Sequence, residues 1–166
     1  MRASVNALFD QLIGDLLDAC RRHYGPRLVS LAVFGSVGRG TPRPDSDLDV
    51  LIVAEGLPQG RVARADEFRA VETLLAPRLK EARRAGLAAL VSPVFKTRGE
   101  IDQSSPLLLD MTEDARIVYD PSGFLTEALA RLKARLAERG ARRIWKGSAW
   151  IWDLKPDYKP GEEFEL

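Results

Sequence analysis

Residues 28–53, LVSLAVFGSVGRGTPRPDSDLDVLIV, constrain this chain more than any other stretch. Leu28 to Phe34 is an apolar run rich in strand-forming residues, and it stops at Gly35. A polar loop with Gly38, Arg39, Gly40, Pro42 and Pro44 follows, then Asp47-Leu48-Asp49 and a second apolar run, Val50 to Val53. The pattern predicts a strand, a tight turn with a short helical start, a loop and a second strand. Residues two apart in a strand share a face, so Asp47 and Asp49 aim at one spot while Leu48 points into the core. Adjacent carboxylates are costly unless a cation holds them, and oxygen-seeking, octahedral Mg²⁺ that bridges to substrate phosphates is the usual occupant. Gly35 lets the backbone turn sharply and approach a phosphate, and Ser36 offers a hydroxyl and an N–H. A helix starting just after Ser36 would turn its first N–H groups to the same anion. Arg39 can contact the phosphates or pair with a nearby carboxylate.

Gly35-Ser36, ten intervening residues and Asp47-x-Asp49 resemble the signature of the polymerase-beta-like nucleotidyltransferase superfamily, in particular its minimal nucleotidyltransferases. The resemblance implies an α/β (α+β) fold, a small mixed sheet of about four strands with helices mainly on one side. It implies Asp47 and Asp49 as catalytic, Mg²⁺-holding residues, and Gly35 and Ser36 as the cradle of the ATP β- and γ-phosphates, with Arg39 in support. Stand-alone members resemble the antitoxin half of toxin–antitoxin pairs, whose HEPN-type partner receives AMP from ATP on a tyrosine. Such a protein partner suits a small chain better than a nucleic-acid acceptor does. Two alternatives stand beside it. One is an aminoglycoside-type nucleotidyltransferase, and the other is a nucleotide-binding or partner-blocking module with weak turnover.

Length and composition agree with a single modest core. At 166 residues, with 45% hydrophobic and 30% charged, the chain suits one domain. A net charge of +1, from 25 basic and 24 acidic residues, gives no general ground for nucleic-acid binding. Cys20 is the only cysteine, so neither an intrachain disulfide nor a cysteine zinc site is expected. Asp10, Asp15 and Asp18 interrupt the N-terminal apolar residues, which argues against a leader or anchor and for cytoplasmic residence. Homo-oligomerisation stays open.

Ahead of the signature, Ser4 to Arg22 has apolar residues at three-four spacing, predicting an amphipathic helix capped by Ser4 and stopped by Gly25-Pro26. His23, the only histidine, is expected on the surface at the helix end. Arg64 to Arg84 predicts a helix with Phe68, Val71, Leu74, Leu75 and Leu79 inward, kinked or divided at Pro77, its arginines solvated and paired with glutamates. Leu87 to Phe95 reads as a third strand with Pro93 at an edge or bulge.

The superfamily commonly carries a third carboxylate on that next strand, and this chain has none between Leu87 and Arg98. Glu100 and Asp102, in an expected loop, and Ser92 and Lys96 are the local substitutes. A helix start within Gln103 to Asp110, with Ser104 or Ser105 as cap and Pro106 in the first turn, a strand from Ala115 to Tyr119, and a helix from Gly123 to Arg139 complete a domain over residues 1–140. Residues 141–166 hold Trp145, Trp150, Trp152 and Tyr158 with little periodicity. This tail resembles that of one group of stand-alone minimal nucleotidyltransferases. It is expected to pack on the domain or to form a partner surface.

Overall fold

The two apolar runs that flank the signature pair with each other. In the computed structural model, which describes residues 4–103, 105–147, 149–157 and 159, strand β1 (Leu28–Val33) runs antiparallel to β2 (Leu48–Ala54). Strand β3 (Val91–Lys96) adds to β2 in parallel, and β4 (Arg116–Tyr119) adds to β1 antiparallel, giving the order β3-β2-β1-β4. The sheet is small, mixed and four-stranded, as expected. Pro93 lies on edge strand β3, where a missing N–H costs least.

The helices, expected mainly on one side, cover both faces. Against one face pack α1 (Val5–Tyr24) and α3 (Arg61–Arg84), with Phe9, Leu16, Phe68 and Leu75 meeting Leu31, Val50 and Ile52. Against the other pack α5 (Pro106–Asp114) and α6 (Phe124–Glu138), with Ile101 of the short α4 (Arg98–Asp102), onto Ala32, Leu51 and Val53. The reason is in β2 itself: Leu48 to Ala54 is apolar on both pleats apart from Asp49, and a strand buried on both sides needs cover on both. Among the described residues, no helix is long and apolar enough to cross a membrane.

Several local expectations change. α3 continues as one helix through Pro77, and Leu74 is exposed while Phe68, Val71 and Leu75 carry the inward stripe. Arg64, expected in solvent, is buried because Glu100 pairs with it at 2.8 and 3.0 Å and the Pro58 and Phe95 carbonyls accept its other donors. His23 is only partly exposed: its ring packs edge-on to Tyr24 at 4.7 Å, and Nε2 lies 3.6 Å from Glu67. The third strand begins only at Val91, because buried Ala89 has φ +50 and breaks the extended run. The segment around Glu100 is α4, closed by a capping box with Thr97, rather than a loop. Ser105 occupies the N-cap position of α5, and Ser104 lies outside the described residues.

The tail holds regular structure that its composition conceals. β5 (Arg142–Lys146) and β6 (Ala149–Asp153) form a hairpin in which Trp145 faces Trp150 and Arg143 faces Trp152. Those four side chains share one pleat, which packs on α5 through Trp150 and Trp152, both donating Nε1–H to Asp110 at 2.6 and 2.8 Å. Tyr158 and residues 160–166 lie outside the described residues.

Candidate active site

At the end of β1 the chain turns directly over β2. Phe34 N–H donates to the Asp49 carbonyl at 3.1 Å, and Gly35 takes φ +66 as the one-turn helix α2 (Gly35–Gly38) begins. A Cβ on Gly35 would overlap the Asp49 carboxylate, so the glycine is needed for space as well as for backbone angle. The two halves of the signature, 14 positions apart in sequence, are thus in contact. Thr41 N–H and Oγ1 both donate to the Ser36 carbonyl, at 2.9 and 3.4 Å, closing the loop behind α2. Farther along, Ala88 N–H bonds Pro44 O and Leu48 N–H bonds Leu90 O, each at 2.8 Å. The residues before β3 that failed to form strand therefore pin the loop leading to the aspartates.

Asp49 is half-buried on the pleat it shares with Leu51 and Val53, opposite Leu48. Asp47, just ahead of β2, is exposed. Burial first, and then the Asp47 charge, raise the Asp49 carboxyl above its ordinary range, while Arg39 opposes them. Two carboxylates that repel in this way suit a hard divalent cation, which would relieve the repulsion. Among the described residues no group of three or more His, Cys, Asp or Glu is placed to hold a metal. Asp47 and Asp49 are the side chains that would hold such a cation. Ser36 and the first N–H groups of α2, which have no intrahelical acceptor, lie in the turn that covers Asp49.

Arg39 follows α2 and pairs with a nearby carboxylate through one nitrogen: Nη1 donates to Asp114 Oδ2 at 3.2 Å. Asp114, the buried last residue of α5, also accepts from Arg143 at 3.1 and 3.3 Å. The Trp150 ring lies under both guanidinium groups, 5.1 Å from Arg39 and 4.7 Å from Arg143. Sequence reasoning missed Asp114, Arg143 and Gly38. A Cβ on Gly38 would sit 2.5 Å from the Asp114 carbonyl oxygen and 2.8 Å from that of Val33, so the loop packs backbone to backbone on α5. The available signal was an acidic residue, Asp114, one turn after Asp110 on a helix whose other acid is its neighbour Glu113.

β3 settles the geography of the substitutes for a third acid. Ser92 is the register partner of Asp49 and shares its pleat, so it stands beside the pair. Lys96 pairs with Val53 at the far end, roughly 13 Å from Ser92 at 3.3 Å per residue. Glu100 and Asp102 lie beyond that end on α4. Glu100 is occupied by Arg64 and by the Thr97 N–H, and the Arg64 bond holds its carboxyl at about 2, far below a general base. Lys96, Glu100 and Asp102 are thus remote from the aspartates, because a parallel strand carries every later residue away from the Asp49 end.

A family described as the nucleotidyltransferase domain matches residues 13–118. "Putative protein adenylyltransferase MJ1305" of Methanocaldococcus jannaschii is 28% identical over 128 residues, 76% of this chain and 82% of the relative. Among solved structures, a toxin–antitoxin complex with AMP-PNP has a TM-score of 0.47 at 20% identity, over 77% of this chain and 92% of that one. The tri-AMPylated Shewanella oneidensis HEPN toxin in complex with MNT antitoxin gives 0.45 at 15% identity, over 79% and 92%. These two likenesses are loose. The family match covers well over half of the chain and contains every element of the four-stranded sheet, β4 up to Val118. The chain belongs to the nucleotidyltransferase domain family, and it is a nucleotidyltransferase.

Proposed function

We propose that this protein transfers AMP from ATP, with Mg²⁺, to a tyrosine hydroxyl of a HEPN-type toxin and so acts as its antitoxin. The observation that carries the reading is the contact between Gly35 and Asp49, which sets a phosphate-binding turn against a pair of repelling carboxylates. Asp47 and Asp49 would hold the metal, which when bound screens the charge on the triphosphate and stabilises attacking and leaving oxygens. Gly35 and Ser36 cradle the outer phosphates, and Arg39 adds a cationic contact. The acceptor oxygen forms a bond to the α-phosphorus as the bond to the β-phosphate oxygen breaks, and pyrophosphate leaves.

What stands beside Asp49 supports a tyrosine acceptor. β3 presents Ser92 and no acid there, so the phenolic proton passes to solvent. A tyrosine, with a pKa near ~10, tolerates this far better than a sugar hydroxyl does. The relative named for protein adenylyltransferase activity supports a protein acceptor. Cytoplasmic residence accords with such a partner. Incubating the protein with Mg·ATP and the HEPN-type protein encoded beside it should add AMP to a partner tyrosine by mass spectrometry. The missing acid also favours a second reading, a nucleotide-binding module without turnover. Tight Mg·ATP binding with no mass gain on any partner would select that reading.

A further inference from the structure

We propose that the C-terminal hairpin is part of the nucleotide site, with Asp114 and Trp150 as positioning residues that hold the Arg39 guanidinium toward the triphosphate. The inference rests on reading the signature turn as a nucleotide site. The family match ends at residue 118, so β5 and β6 lie outside the matched span, yet they reach back to the signature loop. The reach is a chain of direct contacts. Trp150 and Trp152 are fastened to Asp110, Arg143 is clasped by Asp114 and lies over both indoles, and Arg39 shares the same carboxylate and the same Trp150 ring.

Two features make this an arrangement for holding an anion-binding group rather than for neutralising one. First, Asp114 is divided between Arg39 and Arg143, while the second acid of the cluster, Asp110, lies 3.6 Å from Arg143, so Arg39 holds a shared carboxylate rather than one of its own. Second, one Arg39 nitrogen donates to Asp114 while the guanidinium carbon lies 5.1 Å from the Trp150 ring centre, which leaves the other donors available for phosphate oxygens. A free arginine loses much rotamer entropy on binding, and one fixed at an edge and a face loses less. Arg39 N–H donates to the Gly35 carbonyl at 3.0 Å, which ties its backbone to the turn that covers Asp49.

A double-mutant cycle tests the idea, with affinity for a non-hydrolysable ATP analogue and Mg²⁺ measured by calorimetry. Trp150→Leu should weaken binding about fivefold in the wild-type background and less than about twofold when Arg39→Ala is already present. Trp150→Phe, which keeps an aromatic face, should restore most of the loss, and AMP affinity should change little in any variant. Equal losses from Trp150→Leu in both backgrounds would overturn the inference, since the hairpin would then act without Arg39. If Trp150→Leu fails to fold, Asp114→Asn takes its place in the cycle with the same two outcomes. A wild type that binds no analogue would instead sink the nucleotide-site reading itself, and this inference with it.

Discussion

Two ends of the same parallel strand pair treat their carboxylates in opposite ways. Where β2 and β3 begin, Asp49 lies half-buried beside Asp47, with Arg39 turned mainly to Asp114, and its carboxyl is raised. Past the other end, Glu100 meets a two-toothed Arg64 and a backbone N–H, and its carboxyl falls to about 2. One acid is left wanting a cation and the other already has one. The contrast separates a carboxylate without a paired cation from one in a structural clasp more surely than sequence distance does, since Glu100 looked eligible for chemistry while its partner was unknown.

The largest expected effect comes from the unsatisfied end. Asp47→Asn with Asp49→Asn should lower AMP transfer by at least about a hundredfold. The double variant should fold as well as the wild type without metal, because a repulsion has been removed. Glu100→Gln, measured in the same transfer assay, should change the rate little. Comparable losses from the two changes would erase the distinction between the ends.

Next is the contact that brings the halves of the signature together. Gly35→Val meets both a positive φ and the Asp49 carboxylate, so it should cost about 1–3 kcal/mol in denaturant unfolding as well as nucleotide binding. Ser36→Ala should spare stability and weaken triphosphate binding more than AMP binding. A stable Gly35→Val variant would mean that Asp49 can move aside, and that the pair is less fixed than its packing implies.

Glu100→Gln should cost about 1 kcal/mol of stability at neutral pH, a modest figure because the Glu100 side chain is 35% exposed and its ion pair is screened. The two ends also predict opposite pH slopes. A lowered carboxyl binds fewer protons folded than unfolded, so the Glu100 contribution is present above pH 4.5 and is lost as pH falls toward about 2. Asp49 is raised, so its ionisation weakens the folded state as pH rises above its ordinary value of 3.8. Acid unfolding curves of Glu100→Gln and Asp49→Asn should therefore depart from wild type in opposite directions. The smallest effect expected is that of Ser92→Ala on transfer, well short of the ~10²-fold loss that removing a general base produces. A loss of that size would make Ser92 part of the proton path.

Much of this was legible in the chain because the information is local. Strand periodicity marked β2 with Leu48 turned to the core and Asp49 to the other face, although Asp47 lies just ahead of the strand, and a glycine at the strand end marked the turn, since both depend on backbone geometry within a few residues. The first helix was readable for the same reason, its Ser4 cap and its Gly25 stop included. What only the tertiary structure decided depends on pairs far apart in sequence. Arg64 reads as a surface arginine until Glu100, 36 residues away, is folded onto it. The aromatic tail has no legible destination until Trp150 and Trp152 reach Asp110, 40 and 42 residues back. Charge and aromaticity state what a side chain can bind, and the fold alone brings the partner within reach. That is why the sequence by itself determined two aspartates beside a glycine turn, whereas the lack of a third acid with them among the described residues and the contact of Arg39 with Asp114 and Trp150 were decided by packing.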